Sequence, residues 1–327
     1  MSPAASRPDH RLSLDAISSA HRVIDPVFRD TPQFEYAPLS DYLACRLTLK
    51  VETLNPLRSF KGRGASYLLS RLADADDDRP LVCASAGNFG QAMAYAAGQH
   101  GRDLVVYASE HADPFKVERM RQLGAEVRLH GDDFDAAKAR ARRDADAAGA
   151  LFVEDGREPA ISEGAATIAV ELLARDAAPD AVVVPLGNGA LLTGMGRWFR
   201  SVASGTEVIG VVSSGADAMA RSWRAGRVVE SEAVDTIADA IGVRVPIPEA
   251  VRDMEGTVDD VVTVEDDQVV AAMRLLHRHV GIVTEPAGAV GVAAVAAAPE
   301  RFEGQGVAAV VTGSNVAPDT FRRYVGG

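Results

Sequence analysis

Short apolar, β-branched runs alternate with longer stretches of helical periodicity along most of the chain. The runs predict strands at Leu47–Glu52, Pro80–Ala84, Asp103–Ala108, Glu126–Leu129, Ala181–Pro185, Glu207–Val212 and Val307–Val311. The helical stretches are Gly62–Ala73, Asn88–Gln99, Pro114–Leu123, Asp133–Ala148, Glu163–Ala174, Ala190–Val202, Asp266–His279 and Ala287–Ala298. Punctuation agrees with this reading. Gly101 and Gly124 stand just past predicted helix ends, and Asp113-Pro114 reads as an N-cap followed by a first-turn proline. Continuous apolar runs such as Ala181–Val184 and Ala308–Val311 fit strands buried on both faces of a parallel sheet. The repeated strand–helix–strand order predicts an α/β fold with right-handed crossovers.

In such folds ligands gather where loops follow the carboxyl ends of strands and helix N-termini point their amides outward. The loops rich in small polar residues and glycine are Ser59–Ala65, Ser85–Gly90, Gly187–Leu191 and Thr312–Asn315. Gly187-Asn188-Gly189-Ala190-Leu191, opening a helix, is suited to cradle a phosphate, because glycine lets backbone amides approach an anion. Lys61 opens another helix, where the macrodipole disfavours a cation. It reads either as a surface lysine or as an amine of lowered pKa able to form a Schiff base. A lysine together with a glycine cradle suggests pyridoxal phosphate, whose aldehyde and phosphate need those two devices.

Ser59-Phe60-Lys61-x-Arg63-Gly64-Ala65 resembles the cofactor-lysine motif of the threonine/serine dehydratases. Further blocks match that family in order: Ser85-Ala86-Gly87-Asn88-x-Gly90-Gln91, Thr167-Ile168-Ala169-x-Glu171, Thr236-Ile237-Ala238-Asp239, Glu285-Pro286-Ala287-Gly288-Ala289 and Val311-Thr312-Gly313-Ser314-Asn315. The resemblance runs from about Arg29 to Val316. It implies the fold-type II, tryptophan synthase beta-like architecture of two open, twisted, mostly parallel α/β sheets. It also implies a large cofactor-binding domain of residues 1–72 and 159–327, an inserted small domain of residues 73–158, and an active site in the cleft between them.

Roles follow as implications of that resemblance. Lys61 would carry the cofactor aldehyde as a Schiff base, Phe60 would pack against the ring, and Asn88 would donate to the phenolic oxygen. Gly187, Asn188, Gly189, Ala190 and Leu191 would present amides to the phosphate, and Thr312 would face the pyridine nitrogen. Ser85, Ala86, Gly87 and Asn88 would surround the substrate carboxylate. The expected reaction is that of a pyridoxal-phosphate ammonia-lyase, converting threonine or serine to a 2-oxo acid and ammonia. A freed Lys61 would act as base on the α-proton, and a hydroxyl at the ring nitrogen suits prompt β-elimination. The alternatives are threonine synthase-like β- or γ-replacement and an inactive cofactor- or amino-acid-binding module.

Several residues depart from the family pattern. Ala86 stands where serine racemases of the family place a base, which disfavours racemisation. Asn188 interrupts the usual run of glycines and is closer to threonine synthases. Glu163 reads either as a carboxylate favouring a helix N-terminus or as a substrate contact. Ser213–Asp217 resembles a divalent-cation loop, but Val212 occupies the place of its glutamate, so no metal is expected. His277 and His279, two apart on a helix, face different directions and do not suit chelation. Gly194-x-Gly196 reads as helix packing, not a dinucleotide motif.

Composition narrows the partners. At roughly 150 residues per domain, 327 residues suggest about two domains. A formal charge of −12 argues against nucleic acid and anionic membranes, which require a basic field. An anionic substrate carboxylate would therefore be met by backbone dipoles. Cys45 and Cys83 read as buried reduced thiols. Met1–Ser13 has no apolar core of a signal peptide, and the Ala/Gly/Val-rich run Pro286–Pro299 is shorter than the roughly 20 residues of a membrane span. The acidic run Asp74–Asp78 reads as a solvated loop. A cytoplasmic chain acting on a small amino acid is expected, with a homodimer as the family-level expectation. With the resemblance used up by Val316, no C-terminal regulatory domain is expected.

Overall fold

The computed structural model describes residues 10–175 and 177–326. The reading of the N-terminus falls largely on residues 1–9, outside the described residues. Among the described residues the strands are β1 (Gln33–Glu35), β2 (Arg46–Val51), β3 (Leu81–Ala84), β4 (Leu104–Ala108), β5 (Glu126–Leu129), β6 (Leu151–Val153), β7 (Ala181–Pro185), β8 (Glu207–Ser213), β9 (Asp260–Val264) and β10 (Gly306–Val311). They form a six-stranded sheet in the order β1-β2-β10-β7-β8-β9 and a four-stranded sheet in the order β5-β4-β3-β6. Pairing is parallel throughout except for β1, which runs antiparallel to β2 along the outer edge.

The order of strands carries the architecture. The last strand, β10, enters the middle of the larger sheet, with Val307 opposite both Leu47 and Ala181. Strands from both ends of the chain therefore share one sheet, while the second sheet is built from the intervening stretch. This brings the loops after β2, β7 and β10 to one edge of the larger sheet.

Burial follows the apolar runs. Val182, Val183 and Val184 are fully buried, as are Ala309 and Val311 in the neighbouring strand. Each such valine contributes about 1.5–3 kcal/mol relative to exposure. The Ala/Gly/Val-rich run forms the helix Pro286–Ala297, buried from Pro286 to Val295 and packed against β7 and β10. An apolar helix without a polar face suits a core wedged under a sheet. Among the described residues no helix is long and apolar enough to cross a membrane.

The helices differ from the sequence expectation in one division and in several that it lacks, among them Leu14–Val23, Ala37–Leu43, Ala218–Ala225, Pro248–Asp253 and Pro318–Val325. The helix predicted at Glu163–Ala174 begins earlier and is two helices, Pro159–Ala165 and Thr167–Arg175. Pro159 supplies the start, and the Thr167 hydroxyl donates to the Gly164 carbonyl at 2.7 Å, a back-bond that bends the chain between them. The helix Leu14–Val23 escaped the sequence reading; Ser13 caps it through a bond from the Ala16 amide. The predicted caps are present. Asp113 accepts from the Phe115 amide, and Gly101 and Gly124 take φ of 62° and 94°.

Candidate active site

The helix that carries Lys61, Lys61–Asp74, is anchored from beneath by a buried ionic cluster. The Arg63 guanidinium donates to Glu52 at 2.8 and 2.9 Å, to Glu171 at 2.7 and 2.9 Å, to the Thr167 hydroxyl and to the Thr31 hydroxyl. Lys50 joins it, donating to Glu171 at 2.5 Å and to the Thr31 carbonyl. Burial pushes the Glu171 carboxyl up, but Arg63 and Lys50 outweigh it and hold it at about 2. The same helix lies close against Pro159–Ala165. A Cβ on Gly64 would come within 2.6 Å of the Ile161 carbonyl, and one on Gly164 within 2.7 Å of the Arg63 carbonyl. The start of the lysine helix is thus set from two sides.

Above this anchor the loops meet in one cleft of about 190 Å³. Phe60, Lys61, Ser85, Ala86, Gly87, Asn88, Thr312 and the whole run Gly187–Leu191 line it. All the candidate site residues except Glu163 are therefore brought together. Lysine, asparagine loop and glycine loop come from three different strand ends.

The glycine loop offers the helix-start amides that an anion cradle requires. Gly189 caps the helix Ala190–Val202 with φ of 96° and no side-chain cap, so its first amides have no acceptor from the cap or from within the helix. A Cβ on Gly189 would lie 2.9 Å from the Ala250 methyl, and one on Gly187 3.3 Å from the Ala240 carbonyl. Both glycines pack closely on these neighbours and leave little room for a side chain. The asparagine loop is tied differently. The Ser85 hydroxyl accepts from the Gly87 and Gly90 amides at 3.1 and 2.9 Å, and the Ser85 amide is committed to Tyr107 across the sheet. Ser85 therefore orders the loop and does not offer its own amide to a ligand.

Asn88 is held in one orientation. Its Nδ2 donates to Glu285 Oε1 at 2.6 Å, and its Oδ1 accepts from Asn315 Nδ2 at 2.7 Å, while Asn315 also donates to the Leu57 carbonyl. Burial raises the Glu285 carboxyl to about 7, against the pull of Lys116, Asn88 and Lys61. The Lys61 ammonium lies 2.5 Å from Asp155 Oδ2 and 4.8 Å from the Phe60 ring centroid.

The sequence reading assigned no role to several of these groups. Asp155 lies outside the motif blocks, while Asp239 and Glu285 fall within them. Lys116, in the helix Pro114–Gln122, reaches across to Asp239 at 2.5 Å, and Arg244 reaches Asp135 at 2.7 Å. Both pairs link the side of the four-stranded sheet to the side of the six-stranded one.

Glu163 requires a correction. It is the fifth residue of its helix, not at the N-terminus, and it accepts from the Ser13 amide at 2.9 Å, away from the cleft lining. His277 and His279 have separate aromatic neighbours, Phe321 and Tyr42. Cys45 and Cys83 are free and buried, and burial pushes the Cys83 thiol up to about 12.

A lysine in the cleft, helix-start amides without an acceptor in the helix and an asparagine held in one orientation fit pyridoxal phosphate. Comparison with known proteins agrees. Residues 24–313 match the family described as pyridoxal-phosphate dependent enzyme. The L-threonine ammonia-lyase of Thermotoga maritima is 33% identical over 314 residues, which cover 96% of this chain and 78% of that protein. An L-threonine dehydratase biosynthetic IlvA from Bacillus subtilis is 32% identical over 303 residues, 91% of this chain and 72% of that one. A solved threonine deaminase, from the organism abbreviated T.th., superposes with a TM-score of 0.87 at 32% identity, covering 93% of this chain and 99% of that chain. The chain belongs to the pyridoxal-phosphate-dependent enzymes.

Proposed function

We propose that this protein is an ammonia-lyase of β-substituted amino acids, acting on threonine or serine to give a 2-oxo acid and ammonia. The observation that carries the reading is the convergence of Lys61, Asn88 and the Gly187–Leu191 cradle in one cleft. Pyridoxal phosphate supplies an electron sink that acidifies the substrate's α-proton. Lys61 Nζ would bind the aldehyde and would take that proton. The Gly187–Leu191 amides would hold the phosphate, Phe60 would pack on the ring, and Asn88 and Thr312 would address the phenolic oxygen and the pyridine nitrogen. Amides of the Ala86–Asn88 turn hold the substrate carboxylate at the start of the helix Asn88–Gln99. Ala86 has no proton to transfer, which favours elimination over racemisation.

The sheet order supports a large domain of residues 1–72 and 159–327 and a small domain of residues 73–158, with the active site between them. A cytoplasmic homodimer completes the reading. Replacement chemistry keeps only Asn188 in its favour, since Glu163 turns away from the cleft. The purified protein should show a visible Schiff-base band that Lys61→Ala abolishes, and should release 2-oxo acid from threonine or serine alone. Strict dependence on a second nucleophile would favour replacement, and a colourless protein that cannot be reconstituted would sink the assignment.

A further inference from the structure

We propose that Asp155 reads the substrate's β-substituent and selects an amino acid with a second amino group on its β-carbon, 2,3-diaminopropionate being the simplest. This rests on the reading of the cleft as a pyridoxal-dependent elimination site. Asp155 lies in the loop after β6, its side chain 8% exposed and its Oδ2 2.5 Å from Lys61 Nζ. Its Oδ1 is buried and, among the described residues, has no hydrogen-bond partner.

Three of the other four carboxylates of the cleft have cations of their own, while Glu285 has only an amide and its Oε2 is buried and, among the described residues, unpartnered. Asp135 holds Arg244, Glu154 takes Arg142, Asp239 takes Lys116, and Glu285 accepts from Asn88. Asp155 depends on Lys61 alone. A lysine that binds an aldehyde and then serves as a base cannot remain a permanent ammonium. Whenever Lys61 is neutral, Asp155 is a buried carboxylate without a counterion, which is costly unless another cation arrives. The substrate carboxylate cannot supply it, but an ammonium on the β-carbon can.

Reach and chemistry agree. A base must come within hydrogen-bond distance of the α-proton it removes, so a carboxylate 2.5 Å from that base is within reach of a substituent on the adjacent carbon. The Asp155 carboxylate can accept from a β-ammonium as it accepts from Lys61. It keeps a β-amine protonated, the form that leaves as ammonia. Lys61 Nζ takes the α-proton, the pair of the broken C–H bond forms the Cα–Cβ double bond, and the Cβ–N bond breaks with its pair on nitrogen. Released 2-aminoacrylate takes up water, so that diaminopropionate and one water give pyruvate and two ammonia molecules.

The loop is also held in place. Gly156 packs on the Asn188 carbonyl so closely that a Cβ there would overlap it, and Arg11 donates to the Gly156 and Arg157 carbonyls. Glu154, next to Asp155, is tied to Arg142 at 2.6 Å.

The test uses the holoenzyme with 2,3-diaminopropionate, serine and threonine. Each is read as a dissociation constant from the shift of the visible band and as 2-oxo acid release, in wild type, Asp155→Asn and Asp155→Ala. The expected result is a preference of at least about tenfold for diaminopropionate over serine in both readouts. Either variant should remove most of that preference. A wild type that favours serine or threonine, or a preference untouched by both variants, overturns the proposal and leaves the elimination reading standing. If nothing releases 2-oxo acid, the elimination reading fails, while the band-shift constants still decide whether Asp155 binds the β-ammonium.

Discussion

Arg63→Met would remove the guanidinium that joins two buried carboxylates beneath the lysine helix. Arg63, Glu52 and Glu171 are at most 1% exposed. The variant would leave Glu52 and Glu171 with Lys50 and, 3.7 Å from Glu171, the His21 ring. Breaking a buried pair by deleting one partner costs about 3–5 kcal/mol, because it strands a charge. The titration of Glu171 gives a similar figure. A carboxyl lowered from 4.5 to about 2 corresponds to about 3 kcal/mol at 1.36 kcal/mol per pH unit. Its folded pKa lies below its unfolded one, so this stability is present above pH 4.5 and is lost as pH falls towards 2. Roughly 2 kcal/mol should be gone by pH 3. Urea unfolding of wild type and variant at pH 7 and pH 3 checks both statements. At pH 7 the variant should be about 3–5 kcal/mol less stable, and the gap should narrow at pH 3. A difference below about 1 kcal/mol at pH 7, or a gap independent of pH, would refute the reasoning.

Two further perturbations probe the cleft. Gly189→Ala places a methyl at φ 96° and 2.9 Å from the Ala250 methyl, so the cradle must shift. Equilibrium dialysis should show pyridoxal-phosphate affinity lowered at least about tenfold, since left-handed backbone alone costs an alanine about 1–2 kcal/mol; unchanged affinity would mean that these amides do not hold the phosphate. Glu285 binds its proton more tightly folded than unfolded, its carboxyl lying at about 7 instead of 4.5, so it destabilises the fold as pH rises through that interval. Glu285→Gln should therefore gain stability relative to wild type at pH 8 compared with pH 5, by at most about 3 kcal/mol. Thermal unfolding at the two pH values measures it, and a difference that does not grow with pH would speak against a proton held at Glu285.

The interior of the larger sheet was legible because its strands need no alternation. β7 and β10 have neighbours on both sides and helices over their faces, so Ala181–Pro185 and Gly306–Val311 stand out as unbroken apolar runs. The strands that escaped notice lie at sheet edges. β1 and β6 are three residues each, and β9 begins on Asp260 with mixed burial. An edge strand pairs on one side only and can be short and polar, so it leaves little periodicity to read. The false single helix across Ala166 has another cause. Its apolar spacing continues through a bend made by one side-chain hydroxyl, which no periodicity registers.

The same distinction separates the legible from the hidden parts of the site. Glycine at a strand-to-helix turn carries its geometry in its identity, so Gly187, Gly189 and the motif around Lys61 could be read one loop at a time. Charge pairs have no such local signature. Lys61 and Asp155 are 94 residues apart in sequence, and Lys116 and Asp239 are 123 apart. Only the meeting of the two sheets makes them partners. The formal charge of −12 was equally silent, because it sums over the surface. Within the cleft most carboxylates are neutralised by a named cation, and the balance rests on Asp155, whose partner must change its own charge during the reaction. On the proposed reading, an acidic protein that meets a substrate carboxylate with amides and pairs Asp155 with a lysine that loses its charge suits a substrate with a second positive group.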